Sequence, residues 1–117
     1  MQGSVGSVIE MEGISWIVLE KGNGILCASK EVGKKATFSE VFQQGAAKGW
    51  AMLSISDYKR FRFLLCSEED WWLSDQSGDG SIAFVGHGGS MGWSSAVAFY
   101  GARYLARFAE KKGEKEK

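Results

Sequence analysis

Residues 70–108 read DWWLSDQSGDGSIAFVGHGGSMGWSSAVAFYGARYLARF, and the fold turns on this stretch. It opens with Asp70-Trp71-Trp72-Leu73-Ser74 and closes with Gly101-Ala102-Arg103-Tyr104-Leu105-Ala106 ahead of Phe108. Between Gly80 and Ala102 there is no Asp, Glu, Lys or Arg, although charged residues make up 24% of the chain. A protein of 117 residues cannot hide so long a run from water, so part of it is exposed. Exposed surface that is uncharged, rich in Gly and Ser and studded with aromatics contacts a ligand or partner more often than average surface does. Within the stretch, short strands are expected at Ile82–Val85, Ala96–Tyr100 and Arg103–Phe108, separated by glycine turns. In the last of these, Tyr104, Ala106 and Phe108 alternate with Arg103, Leu105 and Arg107.

Working towards the amino terminus, Ser56 with Asp57 in the first turn predicts a helix through Tyr58, Phe61, Leu64 and Leu65. A second short helix is expected over Thr37–Lys48, where Phe38, Val41, Phe42 and Ala46 recur at helical spacing. Thr37 or Ser39 serves as its cap and Gly49 as its stop. Gly13–Lys21 alternates as a strand, Gly22-Asn23-Gly24 tolerates positive φ, and Ile25–Ala28 follows as a second apolar run. Together they predict a hairpin, with Val8–Met11 as a preceding strand. Strands, two helices, then strands define an α+β class with a mostly antiparallel sheet.

Composition narrows the partners. Five Trp, seven Phe and three Tyr mark a folded chain, and with a net charge of zero nothing suggests a nucleic-acid groove. No apolar run approaches the length of a membrane span and Met1–Gly6 lacks the pattern of a leader, so membrane insertion is not expected and the location is read as cytoplasmic or virion-associated. Cys27 and Cys66 each sit in an apolar run, which favours two buried thiols over a disulfide. Lys111 onward reads as a disordered charged tail behind a single domain over residues 1–110.

Three segments carry a family likeness. Ile14-Ser15-Trp16-Ile17-Val18-Leu19 with Gly24-Ile25-Leu26-Cys27-Ala28-Ser29 looks like a "W-x-V-L … L-L-x-S" opening hairpin. Leu53-Ser54-Ile55-Ser56-Asp57-Tyr58 looks like an "L-S-x-x-E-Y" helix start. Trp71-Trp72-Leu73, Ala83-Phe84-Val85 and Gly101-Ala102-Arg103 look like "W-W-L-R-S … A-x-x-V … G-V-R-P-A", with Ser74 and Asp75 replacing Arg-Ser and Tyr104 replacing the proline. The chain thereby resembles a bacterial and phage domain of C-type-lectin-like fold, akin to the variable proteins diversified by retroelements and more distantly to formylglycine-generating enzymes. The resemblance implies that the terminal strands pair and that the loops before the last strand present a ligand surface. Carried over, that surface is the loop Gly86–Ser95 with the start of Asp75–Ser81, and its candidate binding residues are Asp79, His87, Ser90, Met91, Trp93, Ser94 and Ser95. Trp71, Trp72 and Arg103 belong to the supporting scaffold.

Asp75-Gln76-Ser77-Gly78-Asp79-Gly80-Ser81-Ile82 begins like a calcium loop, yet its twelfth position is Gly86 where a bidentate Glu is required, and a hairpin turn is the better reading. His87, the sole histidine, has no Cys, Asp or Glu beside it to build a zinc site, and is either a ligand contact or plainly exposed. Phe99 and Tyr100 are adjacent, so one of them faces inward. Trp93, between Gly92 and Ser94, is the aromatic expected outside, whereas Trp16, Trp50, Trp71 and Trp72 are expected in the core. No nucleophile has a base in motif, and no cofactor or metal is expected. The expectation is a non-enzymatic module that binds a protein or glycan, possible settings being a virion-surface receptor binder or a host-directed inhibitor; the alternative is an assembly subunit of a virion or homo-oligomer.

Overall fold

The computed structural model describes residues 4–65, 69–86 and 88–109. Cys66, His87 and the tail from Lys111 lie outside the described residues. The elements run β1 (Val8–Met11), β2 (Ile14–Lys21), β3 (Ile25–Ser29), α1 (Phe38–Lys48), β4 (Ala51–Met52), α2 (Ile55–Phe61), β5 (Trp71–Gln76), β6 (Ile82–Val85), β7 (Met91–Ser94) and β8 (Tyr104–Phe108). A five-stranded sheet has the order β1-β2-β3-β8-β4 and a three-stranded sheet the order β5-β6-β7, with every strand pair antiparallel. The chain is therefore α+β with two helices.

Local chemistry sets the element ends. Gly22, Asn23 and Gly24 take φ of 132°, 54° and 96° to reverse the chain between β2 and β3, a run that residues with larger side chains resist. Thr37 and Glu40 form a reciprocal capping box at the start of α1, and Gly49 ends it in the left-handed region at φ 79°. Ser54, not Ser56, caps α2: its Oγ accepts from the Asp57 amide at 3.0 Å while the Asp57 carboxylate accepts from the Ser54 amide at 3.0 Å. The helix also ends earlier than expected, at Phe61, passing into a 3₁₀ turn over Arg62–Leu64.

The expected strand at Ala96–Tyr100 is absent. The Ala98 amide donates to the Ser95 carbonyl at 3.0 Å, and Ser95 Oγ accepts from the Val97 amide at 3.3 Å, which folds the chain into a turn; Tyr100 alone bridges to Ala36.

Two apolar clusters lie on opposite faces of the sheets. Trp16, Val18, Cys27, Tyr104 and Ala106 enter one with Val41 of α1; Leu19 and Ala28 enter the other with Tyr58 and Phe61 of α2. A register shift between Val18 and Glu20 accompanies the burial of both Val18 and Leu19. Consecutive residues of β5 point to opposite faces, so Trp72 enters the first cluster and Trp71 the second, both fully buried. Trp50, expected in the core, is half-buried: it packs edge-on to Trp16 at 5.0 Å while its indole N–H donates outward to Glu12.

Candidate functional site

The small sheet presents the uncharged segment, and its far side is anchored. Its first strand, β5, is tied to the body by the Trp72 amide on the Gly101 carbonyl at 3.1 Å, the Ser74 amide on the Leu53 carbonyl at 2.8 Å and the Ile55 amide on the Asp75 carboxylate at 2.6 Å. The turn between β6 and β7 closes with the Gly89 amide on the Gly86 carbonyl and the Gly86 amide on the Ser90 carbonyl, Gly89 taking φ 90°. Tyr58 Oη donates to the Gly89 carbonyl at 2.8 Å and Arg62 reaches the same oxygen at 3.3 Å, with its guanidinium 5.6 Å from the Tyr58 ring. These two anchors were not legible in the sequence, because nothing in the spacing of Tyr58 and Arg62 points to a carbonyl 31 and 27 positions away.

Residues expected in one loop at 86–95 are instead divided between a turn and a strand. Met91, Trp93 and Ser94 belong to β7, with Ala83 opposite Trp93 and Val85 opposite Met91. The alternation of Met91 and Trp93 with Gly92 and Ser94 is the signal of that strand, and the glycine and serine content of the segment masks it. Trp93 is 52% exposed. Met91 and Ser94 are half-buried, while Ser90 and Ser95 are exposed. The opposite flank of β7 is closed: Phe84 stacks on Tyr100 at 4.3 Å, Tyr100 Oη donates to Ser94 Oγ at 3.2 Å, and a Cβ on Gly92 would lie 3.0 Å from the Phe84 ring. Tyr100 is thus the inward member of its pair and Phe99, 60% exposed, the outward one.

Asp79 is not brought to the Ser90 end of this surface. It closes the β5–β6 turn, accepting from Ser77 Oγ and from the Ser81 amide at 3.0 Å, and these hydrogen bonds hold its carboxyl below the usual carboxylate range. Both bonds are to Asp79 Oδ1 and lie within the β5–β6 hairpin turn that the sequence leads one to expect there. Among the described residues no group of three His, Cys, Asp or Glu stands close enough to hold a metal ion. No described helix is long and apolar enough to cross a membrane.

A cleft of about 530 Å³ opens elsewhere, between the β1–β2 turn, residues 29–36 and α1. Glu10, Glu31, Lys34, Lys35 and Trp50 line it, and none of the expected binding residues does. Its charges are mixed, so it selects no ligand class by electrostatics.

Arg103 completes the scaffold. Fully buried, it donates to the carbonyls of Ser29, Leu65 and Lys30 at 2.8, 2.9 and 3.2 Å and lies 5.0 Å from the Trp71 ring. Comparison with protein-family models, curated proteins and solved structures finds no match to this chain.

Proposed function

We propose that this chain is a non-enzymatic binding module of C-type-lectin-like build that recognises a protein or glycan through the uncharged surface around β7. The observation carrying the reading is Trp93, which stands 52% exposed on a sheet whose turn and rear strand are pinned by Tyr58, Arg62 and Asp75. A large aromatic held rigidly in a field of Gly and Ser is an anchor of low conformational cost. Val97 at 75% and Phe99 at 60% exposure are further exposed apolar side chains in the turn that follows β7.

The lectin-like reading draws support from three features. The final strand β8 pairs with β3 of the amino-terminal hairpin, the helices cover opposite faces, and a small sheet is inserted before the last strand. With the resemblance described above, a phage or prophage setting follows, as receptor binder or host-directed inhibitor. Assembly with copies or neighbours is the second reading, favoured by the open edge of β7.

The test selects a ligand from a glycan array and a displayed protein library, then compares two tryptophans. Trp93→Ala is expected to keep the thermal midpoint near wild type and to weaken binding by about 2 kcal/mol, roughly 30-fold. Trp72→Ala is expected to cost roughly 3 to 5 kcal/mol of stability. Unchanged binding by a folded Trp93→Ala, or unfolding as severe as that of Trp72→Ala, would sink the reading.

A further inference from the structure

Strand β7 ends its sheet, and half of its backbone points away from β6. The Gly86 amide pairs with the Ser90 carbonyl at 2.7 Å, so by the alternation of an antiparallel ladder Phe84/Gly92 and Ile82/Ser94 are the hydrogen-bonded pairs. Met91 and Trp93 then turn their N–H and C=O groups outward, towards no other group of the described residues. Native edges are commonly guarded by charge, proline or a covering loop. This one has no charged side chain from Gly80 to Ala102, and the chain contains no proline.

We propose that the occupant of this edge is β7 of a second copy of the chain, paired antiparallel about a two-fold axis through Gly92. The inference rests on reading the β7 surface as a contact surface and names what meets it. The strand is self-complementary in this register. Gly92 faces Gly92 of the second copy in a non-hydrogen-bonded position, where antiparallel strands approach most closely, about 4.5 Å between Cα atoms. Met91 faces Trp93 of the second copy in a hydrogen-bonded position, and Trp93 faces Met91, so the outward N–H and C=O groups of both residues are satisfied. Directly opposed residues share a flank, and Met91 and Trp93 lie on the same flank within β7, beside Val85 and Ala83. Each indole is set opposite a Met91 that is half-buried against the second cluster, which places a thioether beside it for a sulfur–aromatic contact. The flank bearing Gly92 and Ser94 is already filled by Phe84 and Tyr100 and offers no competing contact. Because the segment carries no charge, two copies meet there without repulsion. A two-fold pairing also satisfies both edges at once and stops at the dimer.

Sedimentation equilibrium from about 1 µM to about 1 mM, a range that resolves weak association, tests the pairing. The wild-type chain is expected to dimerise, and amide exchange at Met91 and Trp93 is expected to slow roughly tenfold between the dilute and concentrated ends. Met91→Lys/Trp93→Lys and Met91→Glu/Trp93→Glu, each confirmed folded by circular dichroism, should each raise the dissociation constant roughly tenfold or more. Mixing the two restores the dimer, since the register sets Lys against Glu. A wild-type chain monomeric throughout, or a dimer whose β7 amides exchange as fast as in the monomer, overturns the proposal. The contact-surface reading stands or falls separately on the Trp93→Ala binding assay.

Discussion

A guanidinium buried at Arg103 has donors met by the carbonyls of Ser29, Lys30 and Leu65, which offsets part of the cost of taking it out of water. Cys27 illustrates the opposite case, a group kept uncharged. It is fully buried, and burial pushes its thiol up from 9.0 to about 11. The folded value lies above the unfolded one, so the stability linked to the protonated thiol is complete below about pH 9 and lost as pH rises to about 11. That loss is at most about 2 to 3 kcal/mol. Urea titrations across this range should show it in wild type and a smaller decline in Cys27→Ala; burial also raises the Tyr104 hydroxyl from 10.0, and this contribution remains in both proteins. Equal declines would show that the thiol does not titrate with unfolding.

Among the elements, α2 shows how a cap chooses between neighbouring serines. Ser54 and Ser56 both precede Asp57, but only a serine three residues ahead of the acid can exchange hydrogen bonds with it in a capping box. Ser54→Ala is expected to cost about 1 kcal/mol, while Ser56→Ala, exposed in the first turn, should stay within about 0.5 kcal/mol of wild type. Chemical denaturation of the two variants checks the assignment, and a reversed order would refute it. The same principle of local competition explains the missing strand at Ala96–Tyr100. Its alternation is adequate, yet the Ser95 hydroxyl captures the Val97 amide and bends the chain.

At the scale of the whole molecule, the two sheets meet at Gly101. Its amide donates to the Asp70 carbonyl at 2.9 Å, and its carbonyl accepts from the Trp72 amide at 3.1 Å. A Cβ there would lie 2.2 Å from Val32 Cγ1 and 2.9 Å from the carbonyl oxygens of Asp70 and Gly33, two of which are backbone atoms that cannot step aside. Gly101→Ala is therefore expected to destabilise by about 3 kcal/mol through overpacking, read as a fall in the urea midpoint. Gly49→Ala sets the comparison, because a Cβ there meets nothing within 4 Å and the cost comes from φ 79° alone, about 1 kcal/mol. Equal losses at the two positions would show that the sheets do not rely on the close approach.

Elements whose cause is local are legible in the order of residues. The hairpin at Gly22-Asn23-Gly24, the α1 stop at Gly49 and the strand character of β2 follow from φ preferences and side-chain period, which neighbours in sequence suffice to express. The exposure of Trp93 was legible for the same reason, since small residues flank it and leave it little to pack against. That Trp71 and Trp72 are buried could be read from composition, but their division between two clusters depends on a sheet lying between the helices. The position of Asp79 relative to Ser90, the anchoring of Gly89 by Tyr58 and Arg62, and the open edge of β7 were decided by tertiary structure alone. Each depends on which strands become neighbours, and that choice is made by burial of apolar surface summed over the chain, a quantity no short window of sequence contains.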